Sequence, residues 1–156
     1  NSNEYNINIY FKKFDLPKNL EILPSQKDIH PHYKKASLVL NLSRIDQWVE
    51  TFGLTIIEAM AYGIPVIVPP VGGPKEIVEN NIEGYLISSY KINKIASKIL
   101  MLSKNTSLCM HLSQNALKKS DKFSEGIFNK NIIKFLNEKK NSNYWYCRSS
   151  IKLWRF

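Results

Sequence analysis

Residues 37–86 read SLVLNLSRIDQWVETFGLTIIEAMAYGIPVIVPPVGGPKEIVENNIEGYL, and the order of apolar, polar and turn-forming residues along them decides the fold. Ser37–Ser43 (SLVLNLS) has the pattern of a strand, and Pro65–Pro69 (PVIVP) is a short apolar run of the kind buried on both faces. Between them, Gly53–Tyr62 carries apolar residues at helical spacing and is stopped by Gly63. Pro74–Asn80 reads as a second helix, with Pro at its first position and Gly72–Gly73 before it. Tyr85–Ile87 (YLI) is a short last strand. Strands that alternate with helices over so short a span are joined by crossovers and run parallel. The expected class is α/β: a mostly parallel sheet with helices on both faces, followed by C-terminal helices.

Outward from this block the pattern loosens. Upstream, Glu21–Pro24 is a short strand candidate and Ile29–Lys35 a short helix or turn. Tyr5–Phe11 alternates like a strand, yet Ile7, Phe11 and Phe14 also fit a helical stripe, and both readings stay open. Downstream, Ile95, Ile99 and Leu102 recur at helical spacing with Lys94, Lys98 and Lys104 between them. A second helix is expected over Ser107–Lys119 and a third over Glu125–Lys139, with Ile132, Ile133 and Leu136 turned inward. The residues from Tyr144 on (YWYCRSSIKLWRF) hold two of the three Trp and no acid. The chain of 156 residues is therefore divided into a domain over 1–140 and an atypical basic, aromatic tail over 141–156.

An apolar fraction of 44% excludes a wholly disordered chain, and two cysteines exclude a disulfide scaffold. Apolar runs such as Ile64–Val71 fall far short of the roughly 18 residues that span a bilayer. The first ten residues lack the basic start and small-residue cleavage site of a signal peptide, so a soluble, cytoplasmic protein is expected. The net charge of +9 is uneven: residues 1–90 carry 8 basic and 10 acidic side chains, residues 91–156 carry 14 and 3. Such asymmetry raises nucleic acid or an anionic membrane as partners. Only 3 of the 22 basic residues are Arg, the residue whose planar fork reads bases, which argues against nucleic acid.

The chemistry concentrates where the strand at Ser37–Ser43 gives way, through the polar loop RIDQWVE, to the helix at Gly53. A strand–loop–helix junction aims backbone amides outward, so Phe52, Gly53 and Leu54 could hold a phosphate. From Gly53 to Glu58 the helix rises about 7.5 Å, roughly the distance from a diphosphate to the ribose of the same nucleotide. A carboxylate there accepts two hydrogen bonds, which suits vicinal ribose hydroxyls. Glu50, on the loop side, would face whatever lies beyond the diphosphate. A plainer reading stands beside this one: Glu50 complements the helix dipole and Glu58 is an ordinary solvated helix residue.

The block from Glu50, ETFGLTIIEAMAYGIPVIVPPVGGPKEIVENNIEGYL, resembles the signature of the retaining glycosyltransferases with the E-x(7)-E motif, family 4 of the GT-B enzymes. The resemblance follows the elements E-T-F-G, E-A-M-A-x-G-x-P-V-I, V-G-G-x-x-E and G-Y-L in order and spacing, and is specific over about residues 21–90. It implies a partial Rossmann-like fold, the C-terminal domain of a GT-B enzyme. It also implies transfer of a sugar from a nucleotide-sugar donor to an acceptor glycan or lipid-linked sugar with retained configuration, in surface polysaccharide or glycoconjugate synthesis. Glu50, the catalytic candidate, is then expected to hold donor-sugar hydroxyls, the amides of Phe52, Gly53 and Leu54 the diphosphate, and Glu58 the ribose. Gly72, Gly73 and Glu76 shape a neighbouring loop, with ligand contact and a purely structural turn both open. Neither metal nor cofactor is expected, since no Asp-x-Asp pair is present.

The complete enzymes of this family have two such domains. The segment that normally opens the C-terminal domain, with its diphosphate-binding Arg and Lys, has no counterpart before residue 21. In the usual strand order two central strands then lie outside this chain. The chain is expected to supply the donor-binding half and to partner a missing N-terminal GT-B domain; the alternative is a non-catalytic nucleotide-sugar-binding or partner-binding fragment. Of the remaining residues, His30 and His32 lack a nearby third metal ligand and read as a surface turn. Cys109 and Cys147 read as free thiols, and Trp48 either walls the donor pocket or packs under its loop. Lys118, Lys119 and Lys122 form a solvated helix face or a peripheral contact with the inner face of a membrane.

Overall fold

The computed structural model describes residues 9–141, with side chains through residue 138. The strand or helix expected over Tyr5–Phe11, as far as residue 8, and the tail from residue 142, Cys147 included, lie outside the described residues. The chain divides between Ala36 and Ser37 into two compact units. In the first, residues 9–11 form a helical turn in which Tyr10, Phe11 and Phe14 cluster, the rings of Tyr10 and Phe11 meeting edge to face at 4.9 Å. Glu21–Pro24, expected as a strand, forms none and lies outside the sheet. Helix α1 (His30–Lys35) has Pro31 in its first turn, and Asp28 Oδ1 accepts a hydrogen bond from the His30 amide at 2.9 Å.

The second unit holds a three-stranded parallel sheet in the order β1 (Val39–Leu40), β2 (Val66–Val68), β3 (Gly84–Leu86). Val39 is in register with Val66, and Ile67 with Tyr85. Helix α2 (Leu54–Ala61) crosses from β1 to β2, and α3 (Gly73–Ile77) from β2 to β3. The parallel pairing and the crossover follow the sequence reading, but both elements around them are shorter than expected. The strand predicted over Ser37–Ser43 is cut short because the Asn41 side chain accepts from the Ser43 amide and hydroxyl, at 3.0 and 2.6 Å, and turns the chain off the sheet. The helix predicted to Asn80 ends at Ile77 because the Glu79 amide is taken by the Glu83 carboxylate at 2.7 Å.

All three residues of β2 are fully buried, so this strand is covered on both faces. Ile67, Tyr85 and Ile87 pack with Ile95 and Leu102 of α4 (Ile92–Lys104) and Leu112 of α5 (Thr106–Ser120). Each such buried aliphatic side chain stabilises the fold by about 1.5–3 kcal/mol. Asn105 caps α5 by accepting from the Leu108 amide at 2.9 Å. α5 is fastened to the entrance of β3 by Lys119, whose ammonium lies 3.9 Å from the buried Glu83 carboxylate, and by Asn115, which donates to the Ile82 carbonyl at 3.2 Å. A 3-10 turn (Asp121–Phe123) leads into α6 (Glu125–Asn141). Ile132, Ile133 and Leu136, expected inward, are exposed. No helix of the described residues is long and apolar enough to cross a membrane.

Candidate functional site

The loops that follow the three parallel strands all leave from the C-terminal edge of the sheet, the edge where open α/β sheets bind ligands. The loop after β1 ends in Glu50, whose Oε1 accepts from the amides of Phe52 (3.4 Å) and Gly53 (3.3 Å). Those are the amides expected to face outward. They meet the carboxylate of their own loop, which is well placed against the positive end of α2. Phe52 and Leu54 have exposed side chains. Glu58 sits half-buried on α2, one turn beyond Leu54 and on the same helical stripe.

Gly53 is the N-cap of α2 with φ +86°, a left-handed conformation, and not a residue of its first turn as the sequence suggests. A bulkier residue there would strain the backbone, and its Cβ would fall 2.9 Å from Cδ1 of the buried Ile56. Gly72 and Gly73 have a structural duty that the structure makes explicit. The Gly73 amide donates to the Glu50 carbonyl at 2.9 Å, and a Cβ on Gly73 would fall 2.5 Å from the Phe52 carbonyl oxygen. On Gly72 (φ +65°) a Cβ would fall 2.3 Å from the Glu50 carbonyl oxygen. The glycine pair thus lets the turn after β2 lie directly on the backbone of 50–52. Glu76 is exposed in the first turn of α3.

The root of the same loop is clasped to the turn after β3. Ser89 Oγ donates to the Ser43 carbonyl at 3.1 Å, and the Tyr90 hydroxyl accepts from Arg44 Nε at 3.1 Å while donating to Asp46 Oδ1. The Tyr90 hydroxyl, with Arg44 beside it, holds the Asp46 carboxyl below its usual range and the Arg44 guanidinium above its own. Nothing in the sequence pairs Tyr90 with Arg44 and Asp46, because no periodicity links positions so far apart. Glu83 is likewise not marked by the sequence, since it stands among other polar residues (Glu79, Asn80 and Asn81) on the approach to the strand. Trp48 is 66% exposed and so does not pack under the loop. Of the lysine cluster, Lys118 and Lys122 are exposed while Lys119 turns in to Glu83. His30 and His32 are both exposed, and among the described residues no group of three or more His, Cys, Asp or Glu could hold a metal.

Residues 2–119 match the family of glycosyl transferases group 1. The chain belongs to that family. It is 35% identical over 99 residues to a probable sucrose-phosphate synthase of Vicia faba, a match covering 64% of this chain and 9% of that protein. Among solved structures it resembles Anabaena HepE in complex with UDP-glucose, with a TM-score of 0.72 and 25% identity over 86% of this chain and 36% of that one. It also resembles the C-terminal domain of the group 1 glycosyl transferase LpcC from Francisella tularensis, with a TM-score of 0.58 and 27% identity over 68% of this chain and 53% of that one. The parallel sheet and its helices match part of the Rossmann-like C-terminal domain of the GT-B glycosyltransferases. The chain spans about a tenth of the length of the curated relatives it matches.

Proposed function

We propose that this glycosyl transferase group 1 chain is the donor-binding half of an enzyme that transfers a sugar from a nucleotide sugar to an acceptor hydroxyl with retention, in surface polysaccharide or glycoconjugate synthesis. The observation that carries the reading is the junction of Glu50 with the amides of Phe52 and Gly53, backed by the Gly72–Gly73 turn. Two oriented amides at a helix start, already holding one anion, suit a diphosphate. On donor arrival the diphosphate takes those amides with that of Leu54, the Glu50 carboxylate turns to the sugar hydroxyls, and Glu58 receives the ribose. The bond from the anomeric carbon to the diphosphate oxygen breaks as the acceptor oxygen bonds to the same face. The diphosphate leaves with the electron pair and takes the acceptor's proton. Glu50 acts by position and charge, not as a nucleophile. The second domain and the acceptor site belong to a partner GT-B domain.

Calorimetric titration with UDP and with UDP-glucose tests this. Hydrogen bonds to a charged group contribute roughly 1.5–3 kcal/mol, so Glu58→Gln should weaken both ligands by about ten-fold or more. Glu50→Gln should leave UDP bound at least as well and weaken UDP-glucose by a similar factor. If neither substitution changes either affinity, the two carboxylates are structural and the assignment of the site fails.

A further inference from the structure

We propose that Tyr90 is a positioning residue for donor-sugar binding: its hydroxyl fixes the course of the loop that carries Glu50. The inference rests on the reading of Glu50 as the group that meets the sugar. The loop runs from the end of β1 to Glu50 and is held from two sides. At its far end the Glu50 carbonyl accepts from the Gly73 amide at 2.9 Å, which ties it to the turn after β2. At its near end the hold comes from the turn after β3. Ser89 Oγ donates to the Ser43 carbonyl at 3.1 Å. The Tyr90 hydroxyl bridges two side chains of the loop, accepting from Arg44 Nε at 3.1 Å and donating to Asp46 Oδ1. Arg44 and Asp46 also pair directly at 3.6 Å, and the guanidinium carbon lies 5.7 Å from the centre of the Tyr90 ring.

The bridged residues are the ones that shape the loop. The Arg44 carbonyl accepts from the amides of Gln47 and Trp48, at 2.9 and 2.8 Å, which closes the turn from which the chain continues to Glu50. Tyr90 is itself well anchored: the Lys91 amide donates to the Ser88 carbonyl at 2.9 Å, and the chain passes directly into α4, whose Ile95 and Leu102 lie in the core. The hydroxyl therefore ties a loop turn to the packed part of the domain. General stabilisation does not account for these contacts. The Arg44 and Asp46 side chains are 56% and 55% exposed, and exposed ion pairs contribute little to folding. Their effect is local, since they narrow the conformations open to a segment that ends in the Glu50 carboxylate. The Gly53 amide and Glu58 lie beyond Glu50, on the cap and body of α2, so the clasp bears on the sugar more than on the diphosphate or ribose.

Calorimetric titration of the full chain with UDP and with UDP-glucose tests this on the parent, Tyr90→Phe, Glu50→Gln and the double variant. Tyr90→Phe keeps the ring and removes only the hydroxyl, so its melting temperature should stay within about 4 °C of the parent's. Its UDP affinity should change by less than about two-fold, while UDP-glucose should weaken by about three-fold or more. Because Tyr90 acts through Glu50, adding Tyr90→Phe to Glu50→Gln should weaken UDP-glucose no further. A purely structural role would instead weaken both ligands alike and add to the loss in the double variant. Unchanged UDP-glucose affinity in Tyr90→Phe, equal weakening of both ligands, or additive losses overturns the proposal. Where Glu50→Gln alone still weakens UDP-glucose, the donor-site reading survives that outcome. If the parent does not bind UDP-glucose, or Glu50→Gln leaves that affinity unchanged, the donor-site reading falls and this one falls with it.

Discussion

Gly73→Ala puts the closeness of the two loops to a direct test. The added methyl would sit 2.5 Å from the Phe52 carbonyl oxygen and 2.6 Å from both the Phe52 Cα and the Thr51 carbonyl oxygen. All three are backbone atoms, so no side chain can swing aside. Ordinary contact returns only if one loop retreats by roughly 1 Å. Overpacking of this kind costs about 1–3 kcal/mol, which lowers the melting temperature of a domain this size by roughly 3–10 °C. The segment that must retreat carries Glu50 and the amides of Phe52 and Gly53. A misplacement near 1 Å at a reacting site can cost about a hundred-fold, so UDP-glucose affinity should fall by about ten-fold or more. Gly126→Ala is the control: a Cβ there meets nothing within 4 Å, and both melting temperature and binding should stay close to the parent's. Thermal unfolding and calorimetry on the two variants read both effects. A Gly73→Ala protein with the parent's melting temperature and the parent's UDP-glucose affinity would refute the claim that the glycine pair sets the loop.

Two further outcomes follow from the contacts around this loop. The Asp46 carboxyl titrates below its unfolded value near 3.9, so its contribution to stability is complete above that pH and is lost as pH falls through the lower folded value. Tyr90→Phe should move the Asp46 titration upward, as followed by carboxyl carbon shifts in NMR, and an unmoved titration would remove Tyr90 as the cause. Lys119→Met leaves the Glu83 carboxylate, only 5% exposed, without its ammonium. Chemical denaturation should show a loss of about 1–3 kcal/mol, most of it recovered when Glu83→Gln is added.

The parallel pairing of β1 with β2 was legible because PVIVP can only be a buried strand and SLVLNLS a partly buried one, with a helical period between them. Where each element stops was not legible, because side chains decide it: Asn41 takes the Ser43 amide and ends β1, and Glu83 takes the Glu79 amide and ends α3. Glu21–Pro24 misled because a short apolar run looks the same in sequence whether or not a neighbouring strand pairs with it. At the site, the run from Glu50 to Glu58 pointed to the junction between loop and helix. Whether the Phe52 and Gly53 amides faced outward or met Glu50 depended on a side-chain rotamer, which no spacing encodes. The left-handed backbone at Gly53 was hidden for a similar reason, since Gly suits a first turn and a cap alike.

The order β1-β2-β3 repeats the order of the chain, so each crossover steps across the sheet in the same direction. Crevices in open α/β sheets form at a switch point, where successive crossovers diverge to opposite sides. None occurs among the described strands. Above the sheet, Ser89 and Tyr90 tie the turn after β3 to the loop after β1. A wedge-shaped opening requires a strand that departs the other way, and the place for it is the outer edge of β1, beside Leu40 and Leu42, whose side chains are exposed. In topological terms the described sheet is one wall of a cleft.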